Sequence, residues 1–357
     1  MKFSVFLLLF TAMGFASGTS CVDTCSDPTF CNPISKPLEK KETIMFTTLS
    51  SKDWMSYNYE KITTLAIFGG DDETIAAVTC FAHQKNVRMV KGCEFPMDKI
   101  EDDEAMKQFI VSKVDEAKRL GLDGLNFDNE GLTGTADILA KRIKEVKAAF
   151  EAEFETPQIS FDLNIFPGNN QGDGYDYTAM NEDLDFQLPM GYDMCWNTKV
   201  ATGNSPIESL KAGVQQYVDL LVPASKVVLG LPWYGWAYKC VDDTDFTSPC
   251  TLQDYESDWY NEVAYQWSND EIIGTWNKYD QPEITLDEAT ITKYFTYVDS
   301  DSGDIMQLWY DDEETLAQKY KIVEDGDLRG IAIWTIDMIK ANSSTYDAMW
   351  EALPTRQ

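Results

Sequence analysis

Short apolar runs alternate along the chain with longer stretches in which apolar residues recur every three or four positions. Ile62 to Phe68 and Lys226 to Leu231 are apolar on both faces, which is typical of strands buried between two layers. Asp102 to Leu120 instead places its apolar residues at helical spacing, which predicts an amphipathic helix. This alternation repeats about eight times over residues 43–353.

The repeated strand–helix alternation predicts an α/β protein with a parallel sheet covered by helices. Eight units favour a closed (β/α)8 TIM barrel over an open doubly wound sheet. No glycine-rich phosphate loop follows any predicted strand, which weakens the nucleotide-binding alternative. The predicted strands are Thr43–Thr47, Ile62–Phe68, Val87–Val90, Leu122–Asp128, Gln158–Ile165, Phe186–Tyr192, Lys226–Leu231 and Gly330–Ile336.

One long segment, about residues 236–307, departs from this alternation and is rich in Asp, Trp and Tyr. Its end predicts a β-hairpin formed by Tyr294–Val298 and Asp304–Trp309. We therefore predict an insertion after strand seven, on the barrel face where active sites lie. Its composition is equally compatible with substrate contact and with a purely structural loop.

The first twenty residues resemble a secretory signal peptide. Lys2 precedes the apolar run Phe3 to Phe15, and the small residues Ala16 to Gly18 follow. A buried N-terminal helix is the less favoured alternative. No second apolar run is long enough to span a bilayer, so we expect no membrane association once the signal is removed. The secretory pathway, ending in the lysosome or outside the cell, is the predicted location.

The cysteines support an oxidising compartment, because an even number behind a signal peptide indicates disulfides. Cys240 and Cys250 bracket a polar loop and are a plausible local pair. The segment 21–42 contains three cysteines that we expect to tether the new N-terminus; irregular spacing without C-x-x-C disfavours a metal cluster. Asn342 begins the single N-glycosylation sequon.

Charge and histidine content narrow the possible functions. The chain has 60 acidic and 29 basic residues, a net charge of −31, so a nucleic-acid partner is disfavoured. His83 is the single histidine, which excludes sites needing two or three. Acid–base chemistry then falls to carboxylates. We expect neither a metal nor an organic cofactor, and a monomeric chain.

The predicted fourth strand ends in a polar pattern. Asn126, Asp128 and Glu130 alternate with Leu125 and Phe127, so the polar set shares one face of the strand. Such residues at the carboxyl end of a barrel strand are typical of catalytic groups. Two adjacent carboxylates repel, and one must hold a proton near neutral pH, as a general acid does. A solvated strand end with incidental acids is the alternative.

This stretch resembles the strand-four pattern D-x-x-D-x-D-x-E of glycoside hydrolase family 18, with Asp123, Asn126, Asp128 and Glu130 in its four places. Four further segments resemble family motifs in the same order along nearly the whole mature chain. They are Met190–Asp193 (M-x-Y-D), Gly230–Gly235 (G-x-P-x-Y-G), Trp309–Asp312 (W-Y-D-D) and Gly330–Trp334, the eighth strand with its floor tryptophan.

Within the family the sequence is similar to the chitobiase branch. Asn126 replaces the usual aspartate, the N-terminal cysteines are similar, and Pro232 to Cys240 matches the strand-seven run. The strand-three S-x-G-G of typical chitinases is missing, and Lys91 to Cys93 stands near its place. An endo-chitinase is therefore the less favoured alternative.

The resemblance implies a glycosidase that cleaves β-1,4-linked N-acetylglucosamine (GlcNAc) by a substrate-assisted retaining mechanism, acting on the chitobiose core of N-linked glycans or on chitin oligosaccharides. Glu130 would be the acid, and Asp128 and Tyr192 would hold the substrate's acetamido group. A non-catalytic lectin of the same fold is an alternative, although such lectins typically lose the glutamate. The implied substrate-binding residues are Asn126, Asp193, Trp334, Tyr234 and Trp309.

Two of these residues have further implications. Trp334 is expected under the sugar ring, with a plain core position as its alternative. Asn126 is expected to hydrogen-bond Asp128 without accepting its proton. Asp128 would then have no deeper carboxylate with which to share a proton. The acid limb of the pH–rate profile would therefore be narrower than in an enzyme with aspartate at position 126.

Overall fold

A computed structural model of the chain describes residues 18–50, 53–132, 134–167, 174–195, 198–241, 245–253 and 264–354. Most of the predicted signal peptide, residues 1–17, lies outside the described residues, as do positions 242–244 and 254–263 of the predicted insertion. Among the described residues, no helix is long and apolar enough to cross a membrane.

The structure has strands and helices in the following order. The described strands are β1 (Glu42–Thr47), β2 (Thr64–Ile67), β3 (Arg88–Cys93), β4 (Gly124–Phe127), β5 (Gln158–Asn164), β6 (Phe186–Met190), β7 (Val228–Pro232), β8 (Tyr234–Lys239), β9 (Ala264–Ser268), β10 (Thr285–Asp287), β11 (Thr292–Val298), β12 (Ile305–Tyr310) and β13 (Gly330–Trp334). The described α-helices are α1 (Cys21–Thr24), α2 (Asp72–Gln84), α3 (Asp103–Leu120), α4 (Ala136–Glu151), α5 (Ile207–Asp219), α6 (Asn269–Lys278), α7 (Glu313–Asp325) and α8 (Tyr346–Ala352).

Strands β1 to β7 and β13 are parallel neighbours that close into a barrel, which confirms the predicted (β/α)8 architecture. Helices α2, α3, α4, α5 and α7 lie in connections between these strands. The described connections from β1 to β2 and from β5 to β6 contain 3-10 turns instead of an α-helix. All eight strands of the predicted repeat are therefore present, whereas two of the described connections have no α-helix.

The insertion after β7 is confirmed, but it is more ordered than a loop with one hairpin. Strands β8 to β12 form an antiparallel sheet in the order β10–β11–β12–β8–β9, and the predicted hairpin is the β11–β12 pair. The sheet begins at Tyr234 and pairs β8 with β12, about seventy residues later in the chain. Local periodicity does not show a pairing over that distance. A disulfide joins Cys240 to Cys250, the local pair suggested by the sequence.

The inside of the barrel is apolar around most of its circumference and polar between β4 and β5. Leu125, Phe127 and Phe161 pack outward against the helices, so alternation turns Asn126 and Asp162 toward the barrel axis. Both of these polar residues are buried. The apolar interior is formed by Ile44, Phe46, Ala66, Val90, Phe186, Leu188, Val228 and Ala332.

The N-terminal segment is fastened to the opposite end of the barrel from the strands' carboxyl ends. Disulfides join Cys21 to Cys31 and Cys25 to Cys80 of α2. Among the described residues, the one group spaced closely enough to hold a metal ion is these three N-terminal cysteines, whose sulfurs form the two disulfides. The segment is thus cross-linked within itself and to the barrel.

Candidate active site

The acidic residues that follow β4 lie at the carboxyl-end mouth of the barrel, where hydrogen bonds hold their backbone to the neighbouring strand. The Asp128 N–H donates to the Cys93 carbonyl of β3 at 3.0 Å. The buried Asn129 amide accepts from the Phe95 N–H at 2.9 Å and donates to the Phe95 carbonyl at 3.2 Å. These bonds fix the two carboxylates that flank Asn129 relative to the neighbouring strand.

The two carboxylates occupy different environments. Asp128 is half-buried, and its Oδ1 is enclosed with no hydrogen-bond partner in the described part of the chain. Burial, followed by the charges of Glu130 and Glu94, raises the pKa of Asp128 to about 7. Glu130 is exposed at the mouth; partial desolvation and the charges of Asp193 and Glu94 raise its pKa. A raised pKa keeps a carboxyl protonated closer to neutral pH, as a general acid requires.

Tyr192, just after β6, lies within the electrostatic influence of four acidic residues. Burial and then the charges of Asp162, Asp128, Asp193 and Glu130 raise its pKa well above the usual value, so the phenol stays protonated. On the adjacent strand, a Cβ added at residue 230, which is glycine, would lie 3.1 Å from the Tyr192 ring. The absence of that side chain leaves space for the ring.

Asp193 follows directly, with a left-handed backbone conformation (φ 53°) that aspartate tolerates better than most residues. Its N–H donates to the Asn204 side chain at 2.6 Å. Its carboxylate accepts from the Tyr234 hydroxyl at 2.5 Å, from Trp236 Nε1 at 3.1 Å and from Gln266 Nε2 at 3.3 Å. Three donors from β8 and β9 thus hold this carboxylate, and the insertion forms this wall of the site.

Trp334 ends the last barrel strand and lies beneath Tyr192. The two ring centroids are 6.4 Å apart with an interplanar angle of 25°. Phe46 and Phe68 pack against the same indole at 5.4 and 5.6 Å. The indole is partly exposed, so it forms an aromatic surface at the bottom of the mouth.

Trp309 does not reach this mouth, which departs from the expectation for a substrate-binding residue. It is fully buried in β12, stacks on Tyr294 at 4.3 Å and donates from Nε1 to Gln307 at 3.1 Å. The W-Y-D-D resemblance therefore marks the core of the insertion sheet. Tyr234 is buried too and touches the site through the Asp193 carboxylate, while Trp233 packs in the outer core against Trp350.

Asn126 makes different contacts from those expected. Its Nδ2 donates to Asp162 Oδ2 at 2.6 Å, and its Oδ1 accepts from the Ser160 hydroxyl at 2.5 Å, both on β5. Asp128 nevertheless has a second buried carboxyl near it, on the neighbouring strand and not deeper in β4: Asp162 is buried, and the charge of Asp128 contributes to its raised pKa.

Sequence reasoning missed several residues at this site, among them Asp162 and Gln266. The sequence contains a pattern that could have identified Asp162, because Ser160, Asp162 and Asn164 alternate with apolar residues in the same way as the polar set of β4. No sequence pattern indicates Gln266, since it approaches Asp193 only through the pairing of Trp236 with Gln266 in the insertion sheet.

A closed (β/α)8 barrel with two carboxylic acids and aromatic walls at its carboxyl-end mouth is the arrangement of a carbohydrate-cleaving hydrolase. The model of glycosyl hydrolases family 18 matches residues 39–338. The chain therefore belongs to glycosyl hydrolases family 18 and is a glycosidase.

Two relatives cover almost the whole chain. Human di-N-acetylchitobiase is 29% identical in an alignment 361 residues long that covers 95% of this chain and 89% of that protein. A probable di-N-acetylchitobiase 2 of Dictyostelium discoideum is 29% identical in an alignment 354 residues long that covers 92% of this chain and 89% of that protein. A chitinase of Cycas revoluta, solved in complex with (GlcNAc)3, has the same fold, with a TM-score of 0.73 at 16% identity over 87% of this chain and 99% of that one.

Proposed function

We propose that the protein hydrolyses β-1,4-linked N-acetylglucosamine with the substrate's own acetamido group as the nucleophile. The observation that supports this most directly is that the charges of Asp128, Glu130 and Asp193 all act on the buried Tyr192 phenol and raise its pKa. The site thus offers one exposed acid, one enclosed carboxylate and one phenol donor. The relatives named di-N-acetylchitobiase and the neighbour solved with (GlcNAc)3 support the choice of sugar.

Glu130 supplies the proton in the first step. Its carboxylic acid protonates the glycosidic oxygen while the acetamido oxygen of the substrate attacks C1 and the C1–O bond breaks. The products of this step are the released sugar, an oxazolinium ion and the Glu130 carboxylate. Water then adds to C1, Glu130 takes its proton and the ring reopens, so two inversions give net retention of configuration.

Asp128 and Tyr192 hold the reacting acetamido group. The Asp128 carboxylate accepts the acetamido N–H and offsets the positive charge that develops on the oxazolinium ring. The Tyr192 hydroxyl donates to the acetamido oxygen and aligns it with C1. The enclosed position of Asp128 strengthens this electrostatic stabilisation, because fewer water molecules screen the charge.

Trp334 and Asp193 position the sugar. The partly exposed indole face of Trp334 stacks under the apolar face of the ring. Asp193 accepts a sugar hydroxyl or supports Tyr192, in a geometry fixed by its bonds to Tyr234, Trp236 and Gln266. Asn126 acts indirectly, since its described bonds go to β5.

The relatives named di-N-acetylchitobiase also support the choice of physiological substrate. The proposed substrates are the chitobiose core of N-linked glycans and short chitin oligosaccharides. The disulfides and the apolar leader support export through the secretory pathway to the lysosome or the cell exterior. The exposed Asn342 is the proposed glycosylation site, on a monomeric protein.

A panel of four substrates tests this function. Chitobiose, chitin oligomers and a free N-glycan should be cleaved between GlcNAc residues, with the β-anomer formed first when the reaction is followed by NMR. Cellobiose, which lacks the acetamido group, should show no cleavage, because the proposed nucleophile is missing. Equal cleavage of cellobiose, or an α-anomeric first product, would contradict the mechanism, and cutting confined to long chitin would favour the endo-chitinase.

Tyr234→Phe should reduce kcat/KM on the best of these substrates by about tenfold, because a buried carboxylate loses a charge-assisted hydrogen bond of roughly 1.5–3 kcal/mol. The same bond lowers the pKa of Asp193, so its loss should raise that pKa further. Tyr238→Phe is the matched control, because that hydroxyl donates to the Thr202 carbonyl at 2.9 Å. Indistinguishable rates for the two variants would argue against a positioned Asp193.

A further inference from the structure

Asp162 is a buried acid that the mechanism above leaves without a role. It lies on β5 with 2% of its surface exposed, and its Oδ1 is enclosed with no hydrogen-bond partner among the residues that the structure describes. An ionised carboxylate in such a place is costly unless it is paired, and the single described bond comes from Asn126 Nδ2. A neutral, protonated Asp162 removes most of that cost.

The strand register places Asp162 beside Asp128. Strands β4 and β5 are parallel, with Asn126 opposite Ser160 and Phe127 opposite Phe161. The residue that follows β4 is Asp128, and the position level with it on β5 is Asp162. Neighbouring strands are about 4.8 Å apart and both side chains are on the inward face, so the two carboxyls are lateral neighbours. Each also has one enclosed oxygen for which the described residues provide no hydrogen-bond partner.

We propose that Asp162 is the proton partner of Asp128, and that the two carboxyls share one proton across β4 and β5 during hydrolysis. The inference rests on the proposed role of Asp128. Asn126, whose amide cannot ionise, is a positioning residue. The Ser160 hydroxyl donates to its Oδ1, and its Nδ2 donates to Asp162 Oδ2. Asp162 Oδ1 is therefore the oxygen that remains for Asp128. The carboxylate that family 18 places at position 126 is thus supplied from the next strand.

The reaction places two opposite requirements on Asp128, and a shared proton meets both. Before bond cleavage, two adjacent ionised carboxyls would repel, so the pair holds a proton. When the acetamido nitrogen becomes positive, an ionised Asp128 is needed, and the proton stays on Asp162. Opening of the oxazolinium ring restores the starting distribution, so no proton leaves the pair. Among the described residues, the charges of Asp128 and Glu130, which follow β4, raise the pKa of Asp162. The charge of Asp162 in turn raises the pKa of Tyr192, which follows β6.

The test exchanges the carboxyl between the two strands. Asp162→Asn should lower kcat by at least about tenfold with KM within threefold, and should remove one of the two coupled titration steps of the pair. The double variant Asn126→Asp/Asp162→Asn keeps an amide–carboxyl hydrogen bond but returns the acid to β4, and should regain most of the lost kcat and the second step. Ser160→Ala removes a contact to Asn126 and should keep both steps.

Carbon-13 NMR of aspartate-labelled wild type and variants counts the titration steps without turnover. Two coupled steps in the wild type and one in Asp162→Asn support the pair. Two unchanged steps in Asp162→Asn, or independent titration of Asp128 and Asp162 in the wild type, would overturn it. The wild-type titration suffices if Asp162→Asn does not fold. A wild type that cleaves no GlcNAc substrate would refute the proposed function, while the titration would still decide whether the pair exists.

Discussion

Replacing Glu130 with glutamine should reduce kcat by at least about a thousandfold on any GlcNAc substrate that the wild type cleaves. Glutamine keeps the size of the side chain but has no acidic proton, and a general acid contributes about 10²–10⁴ to the rate. Because Glu130 is exposed at the mouth, the exchange leaves no enclosed charge or cavity. Binding of a GlcNAc oligosaccharide, measured by calorimetry, should therefore stay within a few fold of the wild type.

Glu94→Gln is the matched control for that loss. Glu94 is exposed, and its negative charge raises the pKa values of both Asp128 and Glu130. Its neutralisation should lower the pKa of Glu130, so the acid loses its proton at lower pH and the alkaline limb of the profile moves to lower pH. We expect kcat at the optimum to remain within about threefold. Comparable losses in the two variants would mean that Glu130 acts only through charge.

The barrel could be predicted from the sequence because its determinants are local. Each strand is a short apolar run and each outer helix has one apolar stripe, so pattern and position agree over the whole chain. Helix α3 shows this directly, since Met106, Ile110 and Val114 are buried at helical spacing and Gly121 ends the helix with φ 75°. Eight such units then favour one topology.

The insertion and part of the site depend on contacts that local patterns do not contain. Tyr234 begins a strand whose partners are far along the chain, and the contact between Gln266 and Asp193 exists only after that sheet has formed. Trp309 shows the opposite problem: a family-like motif placed it at the site, whereas stacking on Tyr294 places it in a core. Large aromatic residues suit both environments, so residue type alone does not separate them.

The pair formed by Asn126 and Asp162 shows what a single-strand view loses. Considered along β4, the amide at position 126 looked like the loss of a carboxylate. Considered across β4 and β5, the acid is present one strand away, hydrogen-bonded to that amide. Barrel interiors are filled by side chains from several strands, so a group can be supplied from a neighbouring strand.

Asp123, the first residue of the strand-four pattern, lies at the opposite end of the barrel and has a structural role. Its carboxylate accepts from the Ile34 N–H and the Met89 N–H, each at 2.6 Å, and pairs with His83 Nε2 at 2.9 Å. The other ring nitrogen of His83 faces the Phe30 carbonyl at 2.8 Å. Both ring nitrogens of His83 thus lie within hydrogen-bond distance of an oxygen atom of the barrel base.

Asp123→Asn should lower the free energy of unfolding by roughly 3–5 kcal/mol, the cost of removing one charge from a buried ion pair, because the Asp123 carboxylate lies 3.9 Å from Arg88 Nη1. The carboxylate accepts on both oxygens, whereas an asparagine amide must turn its NH2 toward the Ile34 N–H or toward the Met89 N–H and His83. Either orientation leaves buried donors facing each other. Urea unfolding followed by tryptophan fluorescence measures the loss.

Asp115→Asn is the matched control, because Asp115 is exposed on α3 and the same exchange should change stability by no more than about 0.5 kcal/mol. The disulfide from Cys25 to Cys80 still joins the N-terminal segment to α2 in both variants, so the segment stays attached and the difference reports on the buried contacts of Asp123 alone. Equal stability of the two variants would contradict this structural role. A destabilised Asp123→Asn that keeps its kcat would separate the two halves of the motif: the first aspartate fastens the base of the barrel, and the last two acids perform the chemistry at its mouth.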